Sequence, residues 1–98
     1  MKNGMRPVHP GEILRLDYLV PLQMSASVLA RHLKVPANRI TGIINERRAV
    51  TADTALRLAR ALGTSSDFWL GLQKRFDLRT AELKLGTKLR TIMPIPHG

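Results

Sequence analysis

Apolar residues recur every three or four positions along most of the chain, and this spacing predicts a series of amphipathic helices. The first begins at Pro10, which suits a first helical turn because its missing N–H would have no partner there. Its buried stripe is expected to comprise the apolar side chains at residues 13, 14, 16 and 18. Pro21 is expected to end it, since proline removes a helical hydrogen bond and clashes with the preceding turn.

Only a short turn separates the second and third predicted helices. Ser25 can cap the free N–H groups of the second helix, which ends near Leu33. Pro36 opens the third helix. The inner face of that helix is formed by apolar side chains at helical spacing, namely Ile40, Ile43 and Ile44.

Two longer helices follow. Thr51 caps a helix over Ala52 to Leu62, and Gly63 supplies a residue at ease with the positive φ that commonly ends a helix. The polar residues 64–67 cap a fifth helix, which residues 78–85 continue after a bend.

No segment alternates apolar and polar residues, so the sequence predicts an all-α fold without a sheet. One domain is expected over residues 9–86. Residues 1–8 are polar and contain Gly and Pro, which predicts a flexible N-terminus. Residues 87–98 are expected to form an extended or disordered basic tail.

Charge narrows the possible partners. Sixteen Lys and Arg against seven Asp and Glu give the 98 residues a formal net charge of +9. Such a surplus favours a polyanion, either nucleic acid or an anionic membrane, although a merely soluble basic surface is the alternative. Nucleic acid is preferred, because no segment outside the predicted core keeps the long apolar face that a basic membrane helix needs.

Several other classes of protein are disfavoured. The chain has no cysteine, which excludes disulfides and thiolate metal sites and fits a reducing cytoplasm. No signal peptide is recognisable, and no stretch approaches the roughly 18 apolar residues of a membrane span. The three histidines are too scattered for a metal site, and no catalytic grouping or cofactor motif is suggested by spacing. We therefore expect no cofactor and no enzymatic activity.

The second and third helices have the spacing of a helix-turn-helix, in which one helix braces another inside the DNA major groove. The third helix would present an outer face without acidic residues to the base edges. The candidate base-reading residues are Ala37, Asn38, Arg39, Thr41, Gly42 and Asn45. A helical bundle that binds nothing can show the same pattern, so spacing alone leaves both interpretations open.

Contacts with the DNA backbone are expected on both sides of this face. The start of the second helix offers free N–H groups and hydroxyls to a phosphate, and nearby arginines can reach the backbone beside the groove. The candidate phosphate-binding residues are Ser25, Ser27, Arg31, Arg47 and Arg48.

Several segments together resemble the HigA-type antitoxins, which belong to the Xre-like (Cro/C1-type) helix-turn-helix group. The resemblance covers residues 6 to 85. It is carried by HPGEIL at residues 9–14, LA at 29–30, VPANRI at 35–40, IIN at 43–45, TADTALRLA at 51–59, FWL at 68–70 and LQ at 72–73.

The resemblance implies a lambda-repressor-like domain of five helices that dimerises and binds a palindromic operator in its own promoter. It also implies that the chain silences a RelE-like messenger RNA endonuclease encoded beside it. Phe68, Trp69 and Leu72 are most simply core residues, and the resemblance adds a role for them in a dimer interface. The alternatives are a free-standing Xre-type regulator without a toxin, and a toxin-binding module with weak DNA contact.

Two positions depart from the wider helix-turn-helix pattern. Lys34 stands in the turn where glycine is usual, so a left-handed conformation there is strained or the turn has another shape. Glu46 replaces the glycine that commonly follows the third helix, which leaves the conformation of the next loop open.

Overall fold

A computed structural model describes residues 6–97, and these residues form five helices and no strand, which confirms the predicted all-α fold. The first helix, α1, joins an α-helical turn at Pro10–Ile13, a π-helical stretch at Leu14–Leu19 and a last α-helical turn at Val20–Leu22. The others are α2 at Ala26–Leu33, α3 at Ala37–Ile44, α4 at Ala52–Leu62 and α5 at Ser66–Leu85, with a 3-10 helix at Gly86–Thr91. Residues 1–5 of the predicted flexible N-terminus lie outside the described residues.

Short polar side chains begin three of the helices, as predicted. The hydroxyls of Ser25, Thr51 and Ser65 each accept a hydrogen bond from the backbone N–H three residues later, at 3.1, 3.4 and 3.0 Å. Each satisfies one of the N–H groups that a helix start leaves without a partner. Gly63 ends α4 with φ 72°, also as predicted.

The predicted end of α1 at Pro21 is wrong. The helix continues through Pro21 to Leu22, and Gln23 then adopts φ 53°. Ahead of the proline the helix widens, and the Val20 N–H donates to the Arg15 carbonyl five residues earlier. This π-type turn displaces the backbone that an α-helix would bring against the proline ring. Leu16 is also 45% exposed and does not belong to the expected buried stripe.

The core lies where α1 packs on α3 and α5, and where α2 packs on α3 and α4. Trp69 is fully buried at its centre, and its indole N–H donates to the Thr64 hydroxyl at 2.7 Å. The other large side chains that are fully buried include Leu14, Leu29, Ile40, Ile43 and Leu58.

A buried glutamine attaches the loop between α3 and α4 to α5. Gln73 accepts a hydrogen bond from the Val50 N–H at 2.8 Å and donates one to the Asp77 carboxylate at 2.9 Å. Because the Val50 N–H belongs to no helix, this side chain supplies the partner that a buried backbone donor requires.

The C-terminal end of α5 extends beyond the core, and every described residue from Thr80 onward is exposed. The tail predicted at residues 87–98 differs from the expectation, because residues up to Thr91 form the 3-10 helix. There the Thr91 hydroxyl donates to the Lys88 carbonyl at 2.6 Å. Within residues 6–97 no helix has the length and apolar character needed to cross a membrane.

Candidate nucleic-acid interface

The turn between α2 and α3 has the left-handed shape that the sequence left open. Lys34 adopts φ 62° and ψ 44°, and its N–H closes the last turn of α2. The Val35 N–H donates to the Ala30 carbonyl at 3.0 Å. The conformation at Lys34 is one that glycine adopts more easily, and it costs a non-glycine residue roughly 1–2 kcal/mol.

The loop after α3 is held in a similar way. Glu46 adopts φ 62°, and the carbonyl of Gly42 accepts the N–H groups of Arg47 and Arg48 at 2.8 and 3.1 Å. Lys34 and Glu46, which occupy positions where the wider helix-turn-helix pattern has glycine, therefore both have a positive φ. A side chain in this conformation costs free energy that glycine does not.

The inner side of α3 contacts the backbone of α1 directly. Ile40 and Ile43 are fully buried. A Cβ added to Gly11 would collide with the carbonyl oxygen of Ile43, and would approach the carbonyl carbon to 2.7 Å. Only glycine permits this separation of the two helices, which explains physically why it stands at this point of α1.

His9 precedes this contact as the N-cap of α1. Its Nδ1 accepts a hydrogen bond from the Gly11 N–H at 2.9 Å, and its ring packs edge-on against Phe76 with centroids 4.8 Å apart. Burial lowers the pKa of the His9 imidazole below its ordinary value. The neutral ring is the form that can accept this hydrogen bond.

Most of the residues predicted to read bases are accessible on the outer side of α3. Ala37, Asn38 and Asn45 are exposed, and Thr41 is half-buried. The Thr41 hydroxyl donates to the Ala37 carbonyl at 3.2 Å, so its proton is already used within the helix.

Gly42 does not lie on the free part of this face, and its predicted placement there is wrong. It is buried. A Cβ at this position would meet Cδ and Cγ of Arg48 at 2.8 and 2.9 Å. The absent side chain leaves room for the stem of Arg48 to cross α3, so the close approach inferred from the glycine is made by a residue of the same chain.

Arg39 is placed on the flank of α3, as predicted, but it has a partner that the sequence did not reveal. Its Nη1 donates to an Asp53 carboxylate oxygen at 2.7 Å, and the Nε of Arg57 donates to the same oxygen at 2.7 Å. Hydrogen bonds from Arg57 and Arg39 hold the pKa of Asp53 below its ordinary value.

Arg57 also reaches α2. Its Nη1 donates to the carbonyl of Leu33, the last residue of that helix, at 2.7 Å. One arginine of α4 therefore ties the end of α2 to the carboxylate that holds Arg39. The four-residue spacing of Asp53 and Arg57 was a visible signal of their own pair, whereas their contacts with α2 and α3 were not.

The predicted phosphate-binding residues flank this face. Ser25, Ser27 and Arg31 are exposed on α2, although the Ser25 hydroxyl is already used as the cap. Arg47 and Arg48 are exposed in the loop after α3.

One member of the predicted dimer interface is misplaced. Trp69 has no exposed surface, so it cannot contact a second chain without repacking the core. Its ring lies against that of Tyr18 on α1, with centroids 5.4 Å apart, and so fills the space between α1 and α5. Phe68 is 37% exposed and packs edge-on against Trp69 with centroids 4.9 Å apart, and Leu72 is half-buried.

No metal site is suggested within the part of the chain that the structure describes, since no group of three potential ligands converges there.

The chain is similar in sequence and in structure to several known proteins. The chain matches the helix-turn-helix family model over residues 17–69. It is 51% identical to Virulence-associated protein I of Dichelobacter nodosus over 81 residues, which are 83% of this chain and 75% of that protein.

Two solved structures are similar over almost the whole fold. The antitoxin HigA of Pseudomonas aeruginosa with the higBA promoter has a TM-score of 0.89 and 42% identity, covering 93% of this chain and 100% of that one. An addiction module antidote protein of a HigA family from Coxiella burnetii has a TM-score of 0.88 and 49% identity, with the same coverage of both chains. The similarity therefore includes α1 and α5 as well as the two helices of the candidate site.

Proposed function

The chain belongs to the HigA-type antitoxins of the Xre-like helix-turn-helix family, and we propose that it is a DNA-binding antitoxin that represses its own operon. The observation that supports DNA binding most directly is the outer face of α3. Exposed polar side chains without an acid stand there on a helix whose inner face is buried, and the similar HigA structure carries a promoter.

Three side chains on this face have the chemistry to distinguish bases in the major groove. Asn38 can make two hydrogen bonds with adenine, and the methyl groups of Ala37 and Thr41 can contact the methyl group of thymine. Asn45, at the exposed end of the helix, extends the same surface.

Contacts with phosphates would supply most of the affinity and little of the specificity. The start of α2 presents backbone N–H groups next to Ser25 and Ser27, and Arg31, Arg47 and Arg48 are exposed cations that can contact further phosphates. If roughly six phosphates are neutralised, the log–log dependence of affinity on salt should have a slope of about −5.

A second copy of the chain would complete the site. We propose that Phe68 and Leu72 contact it, without Trp69. In such a dimer, two α3 helices would enter successive major grooves about one DNA turn apart.

The DNA-binding part is tested on a duplex from upstream of the protein's own gene, against a scrambled duplex of equal length. Asn38→Ala and Thr41→Ala are each expected to reduce the preference for the operator by roughly 1–3 kcal/mol. Thr80→Ala, an exposed threonine of α5, serves as the matched control. A mobility shift with no preference for the operator at physiological salt contradicts the proposal, and equal weakening on both duplexes shows that these residues do not read bases.

We further propose that the partner is a RelE-like messenger RNA endonuclease encoded beside the chain. Co-expression with the product of the neighbouring reading frame should yield a stable complex and restore growth that this product alone inhibits. Operator binding without such a complex would instead favour a free-standing Xre-type regulator. A complex with the toxin but no operator preference would favour a toxin-binding module.

A further inference from the structure

We infer that Asp53 is a specificity-determining residue, which acts by holding Arg39 in one orientation beside the outer face of α3. The inference rests on the proposed DNA-binding function and adds a residue to it that lies outside the helix-turn-helix.

The geometry fixes the carboxylate before any ligand binds. Asp53 lies in the first turn of α4, and one of its oxygens accepts both Arg39 and Arg57 at 2.7 Å. Arg57 is itself anchored on the Leu33 carbonyl. Asp53 is thereby held with respect to both helices of the site, and Arg39 is held with respect to Asp53.

Stability does not explain this pair well. The side chains of Arg39 and Asp53 are 31% and 57% exposed, so the ion pair faces water. Exposed pairs of this kind contribute little to stability, because solvent screens the charges and the paired side chains lose freedom. Arg39 loses conformational entropy when it pairs with Asp53. If Arg39 binds DNA, this entropy is already lost before binding, so the affinity for DNA is reduced less.

The hydrogen bond to Asp53 leaves most of the guanidinium available. It uses one of the five N–H donors of Arg39, and the remaining donors can still form the two parallel hydrogen bonds by which arginine recognises guanine. A guanidinium held in this way can bind only a group that lies along the direction of its free N–H donors.

The negative charge of Asp53 also favours specific over non-specific DNA binding. Arg39 and Arg48 line one surface depression with Ala49, Thr51, Asp53 and Thr54, and Asp53 is the sole acid among these residues. Its carboxylate weakens the attraction of this region for any phosphate, independent of sequence. Without it, Arg39 becomes a mobile cation that can bind the backbone of every duplex.

The test uses Asp53→Asn, which keeps the shape of the side chain and removes its charge. Binding of the full chain to the operator and to the scrambled duplex is measured over a range of salt. We expect the ratio of the two affinities to fall about fivefold or more, as for the loss of one base contact. Binding to the scrambled duplex should be retained or strengthened, with a salt slope steeper by about 1.

Glu82→Gln is the matched control. Glu82 pairs with Arg79 on α5 at 3.7 Å and is 57% exposed, as Asp53 is, so the variant makes the same change of charge at the same exposure. It should leave the ratio unchanged. Thermal unfolding of each variant identifies any loss of fold.

Two further variants show whether Asp53 acts through Arg39. In an Arg39→Ala background, Asp53→Asn should have no further effect on the ratio, because no guanidinium remains to be positioned. Arg39→Lys keeps the charge but loses the planar fork, and it should lower the ratio as Asp53→Asn does without touching Arg57.

The possible failures can be told apart. A wild-type chain without operator preference overturns both the proposed function and this inference. A wild-type preference that survives Asp53→Asn, or that Asp53→Asn lowers equally in the Arg39→Ala background, overturns the inference alone.

Discussion

The two sides of α3 both use a glycine to permit close contact, but they contact different kinds of neighbour. On the inner side, Gly11 of α1 lies against the backbone carbonyl of Ile43. On the outer side, Gly42 lies under the side-chain stem of Arg48. A carbonyl in the core is fixed by its helix, whereas an exposed arginine can adopt another rotamer. The inner contact therefore determines whether the chain folds, and the outer contact determines where a charge is placed.

The largest expected effect comes from Gly11→Ala. The added methyl group collides with a carbonyl that cannot move without separating α1 from α3, so we expect destabilisation by about 3 kcal/mol or more, the upper end of the usual range for overpacking. For a domain of this size, Tm would fall by at least about 12 °C. Thermal unfolding followed by circular dichroism measures this loss.

Gly71→Ala is the control for that experiment. It makes the same substitution inside a helix, but its Cβ would meet only Nη1 of Arg75, at 3.8 Å. Helix propensity then predicts a gain of roughly 1 kcal/mol. If the two variants have equal Tm, the inner contact is not the rigid one.

A smaller effect on the inner side is expected from pH, through His9. Burial lowers the pKa of its imidazole in the folded chain, so below pH of about 6.5 the unfolded chain binds a proton that the folded chain does not. The free energy of unfolding should therefore decrease as the pH is lowered from 7.5 towards the folded-state pKa. Urea unfolding curves recorded at several pH values measure this decrease.

His9→Asn removes this dependence while it keeps an N-cap acceptor for the Gly11 N–H. At pH 7.5 it should cost about 1 kcal/mol, through the lost contact with Phe76. Between pH 5.5 and 7.5 its stability should change less than that of the wild type. An unchanged slope would mean that His9 is not the group responsible.

The smallest change in stability is expected from Gly42→Ala on the outer side. A gain in helix propensity of about 1 kcal/mol opposes the displacement of the Arg48 stem, so Tm should shift by only a few degrees. DNA affinity should nevertheless fall equally on operator and scrambled duplexes, because a phosphate contact of Arg48 is lost. In an Arg48→Ala background the same substitution should leave affinity unchanged, and a loss of affinity there would show that Gly42 acts by another route.

The sequence predicted the helices well where local chemistry decides them. Ser25, Thr51 and Gly63 each act on a backbone group within four residues, so their effect can be inferred from the neighbouring letters. Pro21 does not end α1, because a π-type turn accommodates its ring. No sequence pattern predicts this turn.

The candidate site was predictable in outline and not in its contacts. The apolar spacing of Ile40 and Ile43 located the outer face of α3 by elimination. The burial of Gly42 and the pairing of Arg39 with Asp53 depend on how separate segments pack, and no local pattern encodes that. Trp69 shows the same limit, since an aromatic residue at a helix start suits either a core or an interface.

The hydrogen bond from Arg57 to Leu33 joins residues 24 positions apart. In a nascent chain, α2 and α3 are synthesised before the residue that completes them. Each has eight residues, well below the roughly 12–15 at which an isolated helix is even marginally stable in water. A peptide of residues 25–45 should accordingly be largely unfolded, and a graft that moves α3 into another scaffold must carry the start of α4 with it.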